Sequence, residues 1–260
     1  HDKDGQATVS AEAGAMWDDV VASAVKKGLG GIENLSLIPG TVGGAVYQNI
    51  GAYGAELKDV LELVEVFDTK NNTIKTLSVQ NCRFGYRDSV FQHPEGNQYL
   101  ILRTILKLEK MPKPNIIYPD LIKYFENKKI TIGDIRKAVT KIRRSKLVYP
   151  TVSIGTAGSF FKNPVITSAD YQKLISDYPD IKGRDIGEGL VKLSAGQLIE
   201  NTGWKGKRFS NAGISRKHAL VIVSYSRAEA KDILKLAAII QKSVKDKFGV
   251  SLEPEVKIIV

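Results

Sequence analysis

Five glycines fall between Gly40 and Gly54, inside Ile38-Pro-Gly-Thr-Val-Gly-Gly-Ala-Val-Tyr-Gln-Asn-Ile-Gly-Ala-Tyr-Gly54. Glycine inside a regular element costs roughly 0.5–1 kcal/mol relative to alanine. A stretch this rich in it cannot be one long helix or one continuous strand, so it must be built of turns. Turns without Cβ atoms also let backbone N–H groups approach a phosphate closely. The stretch is neither a G-x-G-x-x-G fingerprint nor a Walker A loop. Alone, it reads as a set of tight turns or as a pyrophosphate cradle.

The flanking pattern mixes two periods. Trp17, Val20, Val21, Ala24 and Val25 share a helical face that Gly28 ends. Thr131 and Asp134 open a helix whose Ile135, Ala138, Val139 and Ile142 line one side. Ser168 opens another, with Tyr171, Leu174, Ile175 and Tyr178 inward. Ser194 and Gln197 form a capping box before Leu198 and Ile199, and Gly203 stops that helix. The longest helix is expected over Ser226–Phe248. Ser226 and Glu229 cap it, and Ala230, Ile233, Leu234, Ala237, Ile240, Val244 and Phe248 are its buried stripe. Strands are expected over Leu63–Phe67 and Thr73–Leu77, joined by a turn at Asn71-Asn72. Further strands are expected over Tyr99–Leu108, Gly158–Ile166, Ala219–Tyr225 and Glu255–Val260. Without a regular βαβ rhythm, the fold class is α+β. The Pro-containing stretch Met111–Asn115 reads as a connection leaving a first region, and Lys146–Thr156 as a loop entering a second.

Composition narrows the function classes. The single cysteine, Cys82, excludes an internal disulfide and a cysteine zinc site, and reads as a small buried residue. No His/Cys/Asp cluster has metal-ligand spacing. No apolar run approaches the eighteen or so residues of a membrane span, and no signal peptide is visible. With 38 Lys+Arg against 28 Asp+Glu, the net charge of +10 favours anionic partners: nucleic acid, acidic membrane or phosphorylated small molecules.

Three further segments carry chemistry. Cys82-Arg-Phe-Gly-Tyr-Arg-Asp-Ser-Val-Phe91 holds Arg87, which suits a bidentate pair with carboxylate or phosphate, or else a surface position near Asp88. Gly155–Pro164 holds Ser159. No G-x-S-x-G elbow is present, and His1, His93 and His218 are scattered, so a Ser–His–Asp hydrolase is excluded. Leu252-Glu-Pro-Glu-Val256 puts Glu253 and Glu255 on one side of a strand, as solvated groups or a proton handler. Lys137, Lys141, Arg143, Arg144 and Lys146 gather at a helix C-terminus, where they complement its dipole. Lys205, Lys207, Arg208, Arg216 and Lys217 interleave with Trp204 and Phe209. That admits a basic anion-binding or nucleic-acid module, which no recognised motif supports.

Taken in order, six segments resemble the UDP-N-acetylenolpyruvoylglucosamine reductases, the UDP-N-acetylmuramate dehydrogenases of peptidoglycan synthesis. They are Leu37-Ile-Pro-Gly-Thr-Val-Gly-Gly44, Gln48-Asn-Ile-Gly-Ala-Tyr-Gly54, Cys82-Arg-Phe-Gly-Tyr-Arg-Asp-Ser89, Gly158-Ser-Phe-Phe-Lys-Asn-Pro164, Lys192-Leu-Ser-Ala-Gly196 and Leu252-Glu-Pro-Glu-Val256. The likeness runs from about Gly14 to the last residue. The Tyr-Arg-Asp-Ser form and the segment around Tyr118 look like the type I branch.

The resemblance implies a vanillyl-alcohol-oxidase-like FAD domain over residues 1–149 and an α+β substrate-binding domain over 150–248. It also implies a strand over 249–260 that returns Glu255 to the active site. It implies FAD held by Pro39, Gly40, Thr41, Gly43, Gly44, Gln48, Asn49, Gly51, Ala52 and Tyr53, with backbone N–H groups on the pyrophosphate. It implies Ser159 as proton donor, and Arg87 and Glu255 on the substrate carboxylate. Tyr86, Tyr118, Lys146, Asn163 and His218 become substrate contacts, with Tyr118 and Lys146 facing the diphosphate. NADPH is the implied hydride donor and UDP-N-acetylglucosamine enolpyruvate the substrate, in a cytoplasmic monomer with no nucleic-acid, membrane or metal partner. The family also carries a stretch ahead of this chain's start, holding another glycine-rich pyrophosphate loop. The expectation is an N-terminally truncated reductase that binds FAD weakly or not at all and exposes apolar surface. The alternatives are a non-catalytic fragment, or another flavin oxidoreductase of the same fold.

Overall fold

The computed structural model describes residues 5–125, 130–148 and 153–259. The chain forms two compact units, His1–Arg143 and Arg144–Val260. The segment 149–152, where the expected domain boundary falls, lies outside the described residues, as does Val260.

The first unit begins with β1 (Gln6–Glu12) and α1 (Trp17–Lys26), followed by the short helix α2 (Val42–Tyr47) and the small strands β2 (Gly51–Ala52) and β3 (Ala55–Glu56). Then come β4 (Leu61–Asp68), β5 (Thr73–Ser78), β6 (Tyr99–Glu109), α3 (Pro119–Tyr124) and α4 (Ile132–Lys146), whose last residues belong to the second unit. One antiparallel sheet runs β1-β6-β4-β5. β1 is not among the expected strands. Its apolar positions are Ala7, Val9 and Ala11, a weak alternation, and its register from Gln6↔Glu109 to Glu12↔Arg103 comes from β6. Trp17, Val21, Ile32, Leu35, Val46, Val64 and Leu106 are among the side chains of the core. Trp17 Nε1 donates to Leu35 O at 3.0 Å, so the largest buried side chain also spends its polar atom. The start of α4 is as expected: Thr131 and Asp134 exchange side-chain and backbone hydrogen bonds.

The second unit contains β7 (Ile154–Ser159), β8 (Val165–Thr167), α5 (Ser168–Asp177), β9 (Gly183–Asp185), β10 (Leu190–Leu193) and α6 (Ala195–Asn201). It continues with β11 (Arg208–Phe209), β12 (Ala212–Ile214), β13 (Val221–Tyr225) and α7 (Ala230–Phe248). Its sheets run β11-β12-β13-β7 and β8-β10-β9. Phe160, Phe161, Leu193, Leu198, Ile240 and Val244 belong to one core.

Several expectations are corrected here. The long helix starts at Ala230, not Ser226. Arg227 sits at φ 73°, a left-handed conformation that stops helix propagation, and the capping pair is Glu229 with Asp232. Leu234 is 38% exposed, and Leu236 takes its place in the buried stripe. Thr167, not Ser168, caps α5 through Asp170 N. At α6, Ser194 caps as expected, but Gln197 bonds Asp180 O and Lys182 N instead of closing a box. The expected strand Gly158–Ile166 splits into β7 and β8, with Phe160 to Pro164 between them.

The final segment is not a strand either. Among the described residues it forms one bridge, Phe161↔Pro254, flanked by Lys162 N→Glu253 O and Glu255 N→Phe160 O, each at 2.8 Å; Phe160 N is spent on Leu220 O, so the pairing does not continue through Phe160. The stripe correction predicts unequal costs on α7. Leu236→Ala should lower unfolding free energy by about 2–5 kcal/mol. Leu234→Ala should stay within about 1 kcal/mol, as for partly exposed sites. Urea denaturation of both variants checks this.

Candidate active site

Within the first unit, two segments that are far apart in sequence are knitted together around one amide. Asn49 is fully buried at φ 41°. Its Nδ2 donates to Gly85 O at 2.8 Å and to Glu56 Oε2 at 3.2 Å, and its Oδ1 accepts from Lys58 N at 3.1 Å. Ser89 Oγ donates to Tyr47 O at 2.6 Å. Gln92 Nε2 reaches both Tyr47 O at 3.0 Å and Arg87 O at 3.1 Å. The glycine-rich stretch and the Phe84–Ser89 loop are therefore one piece.

Arg87 lies in this joint. Its backbone is left-handed at φ 54°, its guanidinium donates to Gly51 O, and it sits 5.3 Å from the Tyr86 ring centroid. A Cβ on Gly51 would lie 2.7 Å from Arg87 Nη1 and 3.1 Å from Ala55 O, so glycine is what admits the guanidinium. Asp88, the expected neighbour of a merely surface arginine, is engaged by His93 Nε2 at 2.9 Å and by Ser89 N at 2.9 Å.

The other candidates of this unit divide. Pro39, Gly40 and Gly44 are exposed, and Thr41, Gly43, Gln48, Ala52 and Tyr53 are half-buried. A Cβ on Gly40 would meet nothing within 4 Å, and its φ is +104°. That leaves bare backbone a ligand can approach. Val42 N bonds Ala15 O, Gly43 N bonds Ala13 O, and Gly44 N bonds Thr41 Oγ1. Those donors hold α2 in place.

Tyr53 packs edge-on against Tyr118, with centroids 5.2 Å apart. Burial pushes the Tyr53 hydroxyl up to about 12, so it stays protonated. Asn34, which the sequence pattern did not flag, is buried and clasps this corner, donating to Tyr53 O and Asn115 O at 2.8 and 2.9 Å. The local sequence, Ile32-Glu-Asn-Leu-Ser36, gives no signal for this role.

In the second unit, Ser159 closes β7 opposite Val221, and Glu255 N bonds the carbonyl of the adjacent Phe160. Ser159 and Glu255 are thus brought to neighbouring backbones. Asn163 Oδ1 accepts from Ala195 N at 3.0 Å at the start of α6. His218 Nδ1 accepts from Leu220 N at 3.2 Å. Burial lowers its pKa, and Lys146 and Lys205 push the same way, which places Lys146 and His218 in one electrostatic environment. The basic-aromatic cluster is engaged internally. Lys205 pairs with Glu200 at 2.7 Å, and Arg208 stacks 4.3 Å from the Tyr225 centroid.

Residues 1–78 match the model of an FAD binding domain, and residues 150–259 match the C-terminal domain of UDP-N-acetylenolpyruvoylglucosamine reductase. Fold and site together define an α+β flavoprotein class. The chain is 44% identical over 250 residues to the UDP-N-acetylenolpyruvoylglucosamine reductase of Pseudomonas aeruginosa, covering 95% of this chain and 73% of that one. It is 40% identical over 255 residues to that of Flavobacterium johnsoniae, covering 96% and 75%. The crystal structure of the Thermus caldophilus reductase superposes with a TM-score of 0.66 at 30% identity, over 96% of this chain and 71% of that one. The chain belongs to the UDP-N-acetylenolpyruvoylglucosamine reductase family.

Two outcomes test this geometry. Asn49→Ala removes a fully buried amide together with the partners of Gly85 O and Lys58 N, and should cost about 2 kcal/mol in chemical denaturation, within the usual range for such losses. His218 resists protonation when folded, so the unfolded chain takes up the proton first as pH falls below about 6.5. Stability should therefore drop between pH 7 and 5.5, and His218→Gln should flatten that slope in melting curves.

Proposed function

We propose that this chain reduces UDP-N-acetylglucosamine enolpyruvate to UDP-N-acetylmuramate, with NADPH as the hydride donor. The observation that carries this is Ser159, set at a strand end beside the backbone of Glu255, within a chain that belongs to a reductase family. Residues 1–149 act as the FAD domain, 150–248 as the substrate domain, and 249–260 as the segment that carries Glu255.

FAD, when bound, supplies the hydride chemistry. The residues present fit it: Gly40 and Gly44 leave bare exposed backbone, and Gly51, Ala52 and Tyr53 continue the same rim. The N–H groups of Val42 and Gly43 are spent on Ala15 O and Ala13 O.

The chain's own side chains handle charge and proton. Reduction at C3 of the enolpyruvyl group builds negative charge at C2 that spreads into its carboxylate. Arg87 is held in place before that charge forms, which is what makes a cation effective. Glu255, near the same carboxylate, must carry a proton or a strong hydrogen bond, because facing carboxylates repel. Ser159 holds the proton delivered to C2. Lys146 and Tyr118 meet the diphosphate, with Tyr86 and His218 as further substrate contacts. The Asn163 oxygen is committed to Ala195, so its amide nitrogen is the group that faces substrate.

Ser159→Ala separates the two halves of the cycle. Flavin reduction by NADPH should be preserved, and reoxidation by the enolpyruvyl sugar should slow about 10²-fold or more, the usual weight of a positioned acid. Equal loss of both half-reactions in stopped-flow absorbance would count against the serine as proton donor.

A further inference from the structure

Ser159 does not reach its position by the ordinary alternation of a strand. Along the β7–β13 pair the register runs Tyr225↔Ile154, Ser224↔Gly155 and Val223↔Thr156, and then jumps to Val221↔Ser159. Two residues of β7, Ala157 and Gly158, therefore stand against one of β13, Ile222. This is a β-bulge. Val221 and Val223 are two apart and share a face of the sheet, and directly opposed residues share a face as well. Thr156 and Ser159 consequently lie on one face although they are three apart, where a regular strand would put them on opposite sides.

That face matters. Leu220 and Ile222 pack in the cluster formed with Phe160, Phe161, Leu236 and Ile240, while Val221 and Val223, also buried, lie outside that cluster on the other face. The extra residue thus places Ser159 on the face of Val221 and Val223. With a regular ladder it would share the face of Leu220 and Ile222.

Two features hold the bulge. Gly158 takes φ +82°, a conformation that costs an L-residue roughly 1–2 kcal/mol. Gly158 N donates to Thr156 Oγ1 at 3.1 Å. That bond gives the amide a partner where the ladder has slipped. A Cβ at Gly158 would meet nothing within 4 Å, so the glycine is required for its backbone freedom and not for space.

We infer that Thr156 and Gly158 are positioning residues for the proton transfer. Neither touches substrate. Together they lock a bulge that decides which face of the sheet Ser159 presents. The inference rests on the role proposed above for Ser159.

The test uses the FAD-loaded protein with Thr156→Val, Thr156→Ser and Gly158→Ala. Valine keeps the shape and removes the acceptor, and serine restores it. Thr156→Val should slow single-turnover reoxidation of reduced flavin by the enolpyruvyl sugar about tenfold to a hundredfold, the scale of a small misplacement of a reacting group. It should leave KM and the NADPH half-reaction unchanged, and Thr156→Ser should recover the rate. Amide exchange at Gly158 should quicken in Thr156→Val and return to the wild-type value in Thr156→Ser. Should Thr156→Val melt too low to assay, Gly158→Ala carries the same expectation for reoxidation. Wild-type reoxidation in both Thr156→Val and Gly158→Ala, with Ser159→Ala slow, would overturn the positioning role alone. A Thr156→Ser variant as slow as Thr156→Val would overturn it too. Ser159→Ala at the wild-type rate would instead remove the role of the serine itself.

Discussion

The first unit depends on a single buried amide. Asn49 spends both ends of its side chain on two segments, at Gly85 and at Glu56 and Lys58. Each bond is of ordinary length, and each is worth only about 1 kcal/mol net. Their importance is geometric. Val42, Ala45, Val46 and Ile50 anchor the glycine-rich segment in the core, and the amide fixes its far end against the Phe84–Ser89 loop. Ser89 and Gln92 then tie the Arg87 loop to the same backbone through Tyr47. The arginine is left with a left-handed backbone that the surrounding bonds, not its own preference, maintain.

The second unit solves a similar problem by a different device. Its Ser159 hydroxyl is placed by strand register, through one extra residue, and the neighbouring Phe160 and Phe161 are sunk in the core. The Glu253–Glu255 segment reaches the same backbone by a single bridge, and Phe160 N is spent on Leu220 O. Both units thus position chemistry with irregular backbone that regular elements support.

Much of this was legible in the sequence where local rules decide. The Thr131–Asp134 helix start, the Asn71-Asn72 turn and the β4, β5 and β6 strands follow from caps, turn residues and alternation. The misses share one cause, which is that a distant partner decides. β1 is weakly apolar and becomes a strand because β6 offers it a full edge. Gln197 leaves its capping role because Asp180 and Lys182 bind it. Leu234 and Leu236 differ by one helical face that only the packed core distinguishes. At the site, the roles of Arg87 and Ser159 came only from the resemblance of their segments to the family. The roles of Asn34 and Asn49 were not legible, since they act through backbone carbonyls that sequence spacing does not reveal.

The closeness of Arg87 to Gly51 has a consequence for sequence change. With no Cβ at position 51, the guanidinium occupies the space a side chain would need. The two positions are therefore not free to drift independently. A methyl group at 51 would push the guanidinium off its seat, and with the arginine gone Glu56 Cγ and Ala55 O would still lie 3.0 and 3.1 Å from it. Position 51 is thus constrained by three neighbours, of which the arginine is the most yielding.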